Sequence, residues 1–339
     1  MTDRIQGLLP QDGPRKKSRT GFWRRIISIL VSVGILAFYF SRVRWPEVSN
    51  SLMNANLWLF LPARLFPVLL YLFVDSFLLQ RIIIWFHCPI SYSKVTYGRA
   101  SLYLLAMINP QVSNGGMFLY LMRRAEIGAE KLLGLVAFRF AWTIWTINFG
   151  VTLALCFTEY FGLPFHSPVG LQIIIGGIAC LWATLLGYLA FVAYLNRFQP
   201  DRKHRPIWTA FIQGKPRHYL VIVGCTLPLA ICGVISNYLC ALSYGINIPL
   251  HEMIILLPIA DFIAALPIAF LGLGTTTFAW QNLFRPFATP AMFLSFTITL
   301  PVTTYIFRAI IALIALPRAS SEFELALFKS NHEKSKKCQ

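Results

Sequence analysis

The chain has 339 residues, of which 57% are hydrophobic and 13% charged; its mean hydropathy is +0.62 and its formal net charge +17. A soluble domain needs more polar surface than this to cover its core. No polar stretch between the apolar runs reaches the length of about 40 residues that a separate soluble catalytic domain needs. In a soluble chain so large a basic excess would suggest nucleic acid. Here the Lys and Arg residues flank apolar runs, which is the pattern of membrane topology, with anionic lipid head groups as natural partners. The expected class is an all-α, polytopic integral membrane protein with no nucleic-acid partner.

In chain order, residues 1–25 form a basic arm containing Arg15, Lys16, Lys17, Arg19, Arg24 and Arg25, read as cytoplasmic. No small-residue cleavage site follows the next apolar stretch, so that stretch reads as an anchor rather than a removed signal. A single transmembrane domain is expected over residues 26–317, with full spans near Ile26–Phe40, Leu57–Leu79, Leu132–Phe157, Pro168–Leu195, Tyr219–Leu242 and Pro290–Leu316. Arg81, Lys94 and Arg99 are assigned to a loop. A short piece, Ile207–Ile212, is amphipathic and expected in the interface. Residues 318–339 form a cytoplasmic tail.

Two segments break the pattern. Ala100–Met122 is apolar at both ends but contains Asn109, Pro110, Ser113, Asn114, Gly115 and Gly116 in its middle. Met253–Phe284 is interrupted by Pro258, Pro267, Gly272 and Gly274. Proline removes a helical N–H and glycine holds a helix poorly.

Charge then sets the topology. If Ala100–Met122 crossed fully, the loop carrying Arg197, Arg202, Lys203, Arg205, Lys215 and Arg217 would be translocated, against the positive-inside bias. If it turns back to the cytoplasmic side, and Met253–Phe284 turns back from the other side, the basic loops and both termini are cytoplasmic. The loops Thr158–Ser167 and Ser243–Glu252, which lack Lys and Arg, are then outside. This leaves about six spans and two re-entrant hairpins of opposite orientation, an inverted repeat with halves near 57–157 and 219–316 joined by a helix over 168–195. Broken helices meeting at mid-depth are a transporter design, and irregular backbone there must line protein or a wet cavity.

At these hairpins the chain resembles the lysylphosphatidylglycerol synthase transmembrane region, the flippase-like domain of the multiple peptide resistance factor. The resemblance rests on Asn109-Pro110 with Gly115, on Phe138-Arg139, and on Leu266-Pro267 with Gly272-Leu273-Gly274. It spans roughly Ala100–Leu316. The family's acidic positions read Gly116, Phe138 and Thr277 here, and the first glycine of the late motif is Leu271. The resemblance implies membrane-embedded handling of an anionic phospholipid or an isoprenoid-type lipid in a cell (inner) membrane. The family's soluble aminoacyl-transferase domain has no counterpart in this chain. Two alternatives stand beside a flippase-like transporter. One is a non-transporting membrane partner of a cell-envelope lipid or glycan enzyme; the other is a membrane enzyme acting on a lipid-linked substrate.

Ionisable groups at membrane depth face cavities or partners, which singles out Arg64, Asp75, Arg139, Asp261 and Arg308. Asp75 and Arg139 fall at similar depth and are expected to pair. Thr275, Thr276 and Thr277 follow Gly274 where a half-helix begins, and Ser113 and Asn114 precede Gly115. Such N-termini favour either capping or phosphate. The seven cysteines contain no C-x-x-C pair and the six histidines no ligand spacing, so no metal, cofactor, disulfide framework or catalytic residue is assigned.

Overall fold

The computed structural model describes residues 45–108, 110–167, 170–198, 205–265 and 273–337. The expected arm and first span therefore lie outside the described residues, as do Asn109, Pro267, Gly272, Leu266 and Leu271. The described residues form helices α1 (Trp45–Met53), α2 (Leu57–Phe86), α3 (Tyr92–Ser101), α4 (Tyr103–Ile108), α5 (Pro110–Arg124), α6 (Ala129–Tyr160) and α7 (Leu171–Phe198). After a 3₁₀ turn, Pro206–Trp208, come α8 (Thr209–Gln213), α9 (Pro216–Ser243), α10 (Leu250–Ala265), α11 (Leu273–Leu283) and α12 (Pro290–Lys337).

Among the described residues, five segments are long and apolar enough to span a membrane: Leu57–Phe86, Ala129–Tyr160, Leu171–Tyr194, Pro216–Ser243 and Pro290–Leu316. The chain is a polytopic helical membrane protein. The spans run longer than hydropathy alone suggests because their ends carry charge and aromatic residues that snorkel or anchor.

Contacts between loops define two ends of the bundle. At one end, the Asn56 N–H donates to the Ser243 carbonyl at 2.8 Å, the His166 N–H donates to Glu252 Oε1 at 2.9 Å, and Ser167 donates to the Leu283 carbonyl at 3.0 Å. At the other, His87 Nε2 meets the Ala125 carbonyl at 3.0 Å, and the Trp85 and His218 rings stack at 4.4 Å. The loops without Lys or Arg cluster at the first end, and Arg205, Lys215 and Arg217 belong to the second.

Both broken segments fold as helical hairpins. In the first, Tyr120 Oη donates to the Lys94 carbonyl at 3.1 Å and Ser113 Oγ to the Leu102 carbonyl at 2.9 Å, so α5 runs back along α3 and α4. Two glycines allow the close approach: a Cβ on Gly98 would lie 2.7 Å from the Tyr120 ring, and one on Gly116 would lie 2.9 Å from Leu102. In the second, Thr275 Oγ1 lies 3.4 Å from the Ala264 carbonyl, bringing α11 back to α10. The first hairpin starts and finishes at the His87 end, the second at the Glu252 end.

The structure corrects one detail. Tyr92–Ser101 is helix, not loop, because Val95, Gly98 and Leu102 continue the hairpin's inward face at helical spacing. Ile207–Ile212 packs one side on the bundle: Ala210 is buried, Phe211 packs edge-on against Phe138, and Gly134 lets the Ile207 carbonyl rest against α6.

Proline inside α2 is accommodated by a neighbour. Pro67 cannot donate to the carbonyl four residues earlier, and that carbonyl, on Ala63, accepts instead from Ser236 Oγ of α9 at 2.7 Å. An aromatic cluster of Phe60, Tyr244, Trp280, Phe284 and Phe296 fills the Glu252 end, and Phe86, Phe138, Trp142, Phe211 and Tyr219 fill the other.

Candidate functional site

Between these two apolar clusters lies a band of charge. Asp75 of α2 is 1% exposed. Its Oδ1 accepts from Arg139 of α6, and its Oδ2 lies 3.1 Å from Arg99 Nε of α3. At about 1.5 Å of rise per residue, Asp75 and Arg139 each sit about 15 Å inside the helix ends at Phe86 and Ala129. Three elements thus converge on one carboxylate well inside the apolar layer, where an unpaired ion is costly.

Arg308 of α12 adjoins this group. Its guanidinium carbon lies 5.3 Å from the centroid of the Tyr103 ring, and its Nε is buried without a hydrogen-bond partner. Its charge reaches Asp75 on one side and Arg64 on the other. Arg64 Nε donates to Thr304 Oγ1 at 2.7 Å and feels the charge of Asp261, on α10. Thr297, Thr304 and Arg308 are seven and four residues apart and so share one face of α12. That face touches Thr277 of α11, Arg64 of α2 and Tyr103 of α4 in turn.

One flank of the band is open. The Arg99 and Arg139 side chains are partly exposed, as is Tyr71, whose ring stands one turn from Asp75 and feels the same arginines. Chemically the arrangement offers guanidinium donors to an anion and no paired carboxylates for acid–base work. Among the described residues no group of three His, Cys, Asp or Glu side chains could hold a metal.

The residues singled out from sequence separate in space. Asp75 and Arg139 pair, and Arg308, Arg64 and Asp261 extend the same band. Ser113 is turned to the Leu102 carbonyl, while Asn114 accepts from Arg99 Nη1 at 3.2 Å and so touches the cluster's edge. Pro110 opens α5, with Gly115 open and Gly116 against Leu102. Thr275 and Thr277 are buried in the first turns of α11, and the Thr277 hydroxyl meets that of Thr297 at 2.9 Å. Gly274 is buried beside them and Thr276 is half-buried.

Sequence reasoning missed Arg99, Tyr103 and Tyr71. The helical spacing of Val95, Gly98 and Leu102 was the available signal for Arg99. His166, to which the sequence assigned no role, meets Glu252 through both its main-chain N–H and its ring Nδ1, each at 2.9 Å.

The sequence model of one protein family, the lysylphosphatidylglycerol synthase TM region, matches residues 25–312. The chain belongs to that family. No curated protein and no solved structure matches it. Membership in the lysylphosphatidylglycerol synthase TM family makes this a membrane protein of a lipid-related class. It also gives meaning to the departures read from the sequence: the Phe138 position, acidic in the family pattern, is fully buried among Phe86, Phe211 and Tyr219.

Proposed function

We propose that this protein carries an anionic, phosphate-bearing lipid, either a phospholipid or an isoprenoid-type lipid, between the leaflets of a cell membrane. The head group would travel along the charged band while the acyl or prenyl chains remain in the bilayer. The single observation that carries this reading is the arginine cluster itself: Arg99 and Arg139 on one buried carboxylate with Arg308 beside them over Tyr103, inside an apolar layer and open on the Tyr71 flank. Guanidinium groups bind phosphate oxygens bidentately, and a protein expends stability to hold such groups at this depth only for a partner.

In this reading the two hairpins re-enter from opposite faces, and the termini and basic loops are cytoplasmic. The head group meets Arg99 and Arg139 first, passes Arg308, and reaches Arg64 and Asp261 along the Thr304 face of α12. Thr275–Thr277, at the start of α11, lie at the far end of that path.

The test is lipid scrambling by purified protein in vesicles holding a fluorescent anionic phospholipid, with dithionite quenching of the outer leaflet. Wild type should accelerate loss of protected signal over empty vesicles. Arg139→Ala should remove most of the acceleration; equal rates in empty, wild-type and Arg139→Ala vesicles would reject transport.

The buried Phe138 favours a second reading, a non-transporting partner of a cell-envelope enzyme, since a proton-coupled step at that position is foreclosed. A membrane enzyme that co-purifies in fixed ratio, together with no scrambling, would select it.

A further inference from the structure

Charge bookkeeping across the band narrows the ligand, and it rests on the lipid-binding reading above. Four guanidinium groups, Arg64, Arg99, Arg139 and Arg308, form one electrostatically connected set with two carboxylates, Asp75 and Asp261. Four cations against two carboxylates leave two positive charges without compensation. The shortage falls at two neighbouring positions, one charge at the Asp75 cluster and one at Arg308. Asp75 is shared by Arg99 and Arg139. Asp261 faces Arg64 electrostatically. Arg308 has no carboxylate at ion-pair distance among the described residues, only the Tyr103 ring at 5.3 Å, and its Nε is buried and unsatisfied.

Excess positive charge in an apolar layer is unfavourable unless an anion arrives to balance it. A cation–π contact contributes about 0.5–2 kcal/mol, too little to replace a counter-ion at this depth. The missing anion should carry two charges. A phosphate monoester carries about −1.5 to −2 at neutral pH, whereas the phosphodiester of an ordinary glycerophospholipid carries about −1 and a zwitterion none.

We infer that the site bounded by Arg99, Arg139 and Arg308 is selective for a lipid whose head group is a terminal phosphate monoester, two negative charges on one phosphorus, over phosphodiester lipids. In this arrangement Arg308 Nε supplies the donor that the second charge requires. Arg99 and Arg139 each present donors that Asp75 does not occupy, since Arg99 Nε lies near Asp75 Oδ2 without hydrogen-bond alignment. Diacyl and prenyl phosphates share this head-group chemistry. Inorganic phosphate shares it too but lacks the chains that the exposed Tyr71 flank would meet.

The experiment compares two lipids that differ by one methyl group, dioleoyl phosphatidic acid and dioleoyl phosphatidylmethanol, binding to purified protein in phosphatidylcholine nanodiscs at pH 8. The expected result is about tenfold tighter binding of phosphatidic acid, the order of one charge interaction at an effective dielectric of about 20 after screening. Arg308→Gln should weaken both lipids, phosphatidic acid by about tenfold more than phosphatidylmethanol, and so bring that ratio close to one. Asp261→Asn, which is isosteric and adds one uncompensated positive charge, should widen it. Equal affinity for the two lipids in wild type overturns the two-charge inference while leaving anionic-lipid transport standing. Binding of neither lipid above phosphatidylcholine overturns both. Displacement of phosphatidic acid by inorganic phosphate at comparable concentration overturns the lipid assignment in favour of a soluble phosphate ligand.

Discussion

Arg308 holds its guanidinium over the Tyr103 ring at 5.3 Å, and this contact links the longest helix of the protein to the descending arm of the first hairpin. Tyr103 also packs with Leu72, Ala100, Ala312 and Ala315. The small residues bring α12 close to the hairpin, and the ring then presents its negative face to the cation. Replacing Tyr103 by Leu keeps the packing but removes the ring. It should lower the melting temperature of detergent-solubilised protein by a few degrees, the response to roughly 1 kcal/mol, and Tyr103→Phe should have nearly no effect. Equal losses in both variants would mean the hydroxyl rather than the ring face matters.

Asp75 is the keystone of the ionic cluster. Asp75→Asn keeps the volume but strands two arginines beside one another in an apolar layer. Removing one partner of a buried pair costs about 3–5 kcal/mol. A loss toward the low end is expected here, because both arginine side chains keep some exposure. Adding Arg139→Gln should recover part of that loss, since the second change removes a charge the first left unpaired. Thermal unfolding of the two single variants and the double variant, read as a cycle, measures the coupling. A double variant no more stable than the additive sum would show that Asp75 and Arg139 do not interact energetically.

How far the sequence alone reached can be judged from this cluster. Asp75, Arg139 and Arg308 stood out because a charge in an apolar run is rare, and the pairing of the first two followed from depth. Asp261 and Arg64 were found in the same way. Arg99 was not, because it sits five residues from a lysine in a polar-looking stretch, and its helix is recognisable only through the faint spacing of Val95, Gly98 and Leu102. The existence of five of the expected spans was legible from hydropathy, though their helices run past the apolar runs, and the helical hairpins were legible from their proline and glycine. Which hydroxyls turn inward was not legible: Ser113 and Thr277 bind Leu102 and Thr297 because of how neighbouring helices cross, and local sequence carries no such information.

Two of the first hairpin's glycines, Gly98 and Gly115, should respond in opposite directions. A Cβ at Gly98 meets the Tyr120 ring at 2.7 Å, so Gly98→Ala must displace a buried ring that is hydrogen-bonded to Lys94, costing about 1–3 kcal/mol. Gly115 has open space around it within a helix, so Gly115→Ala should be neutral or stabilising by up to about 1 kcal/mol. Melting temperatures of the two variants decide; the same sign in both would contradict the close packing of α5 on α3.

The second hairpin is fastened at its Glu252 end by a contact that the charge cluster does not share. Glu252 is fully buried in the first turn of α10, and its Oε1 accepts from the His166 main-chain N–H and ring Nδ1. Its Oε2 has no partner, so the carboxylate is committed to this single anchor on the α6–α7 loop. Near a helix N-terminus a carboxylate is also favoured by the helix dipole. Glu252→Ala therefore loses a charge-assisted hydrogen bond worth about 1.5–3 kcal/mol and leaves the His166 N–H unpaired. His166→Ala keeps the main-chain donor and should cost less than Glu252→Ala. Hydrogen exchange gives the local readout: amides in the first turns of α10 should lose protection in Glu252→Ala, while those of α2 around Asp75 keep theirs. Uniform loss across both regions would mean that the anchor supports the whole fold and not the second hairpin alone.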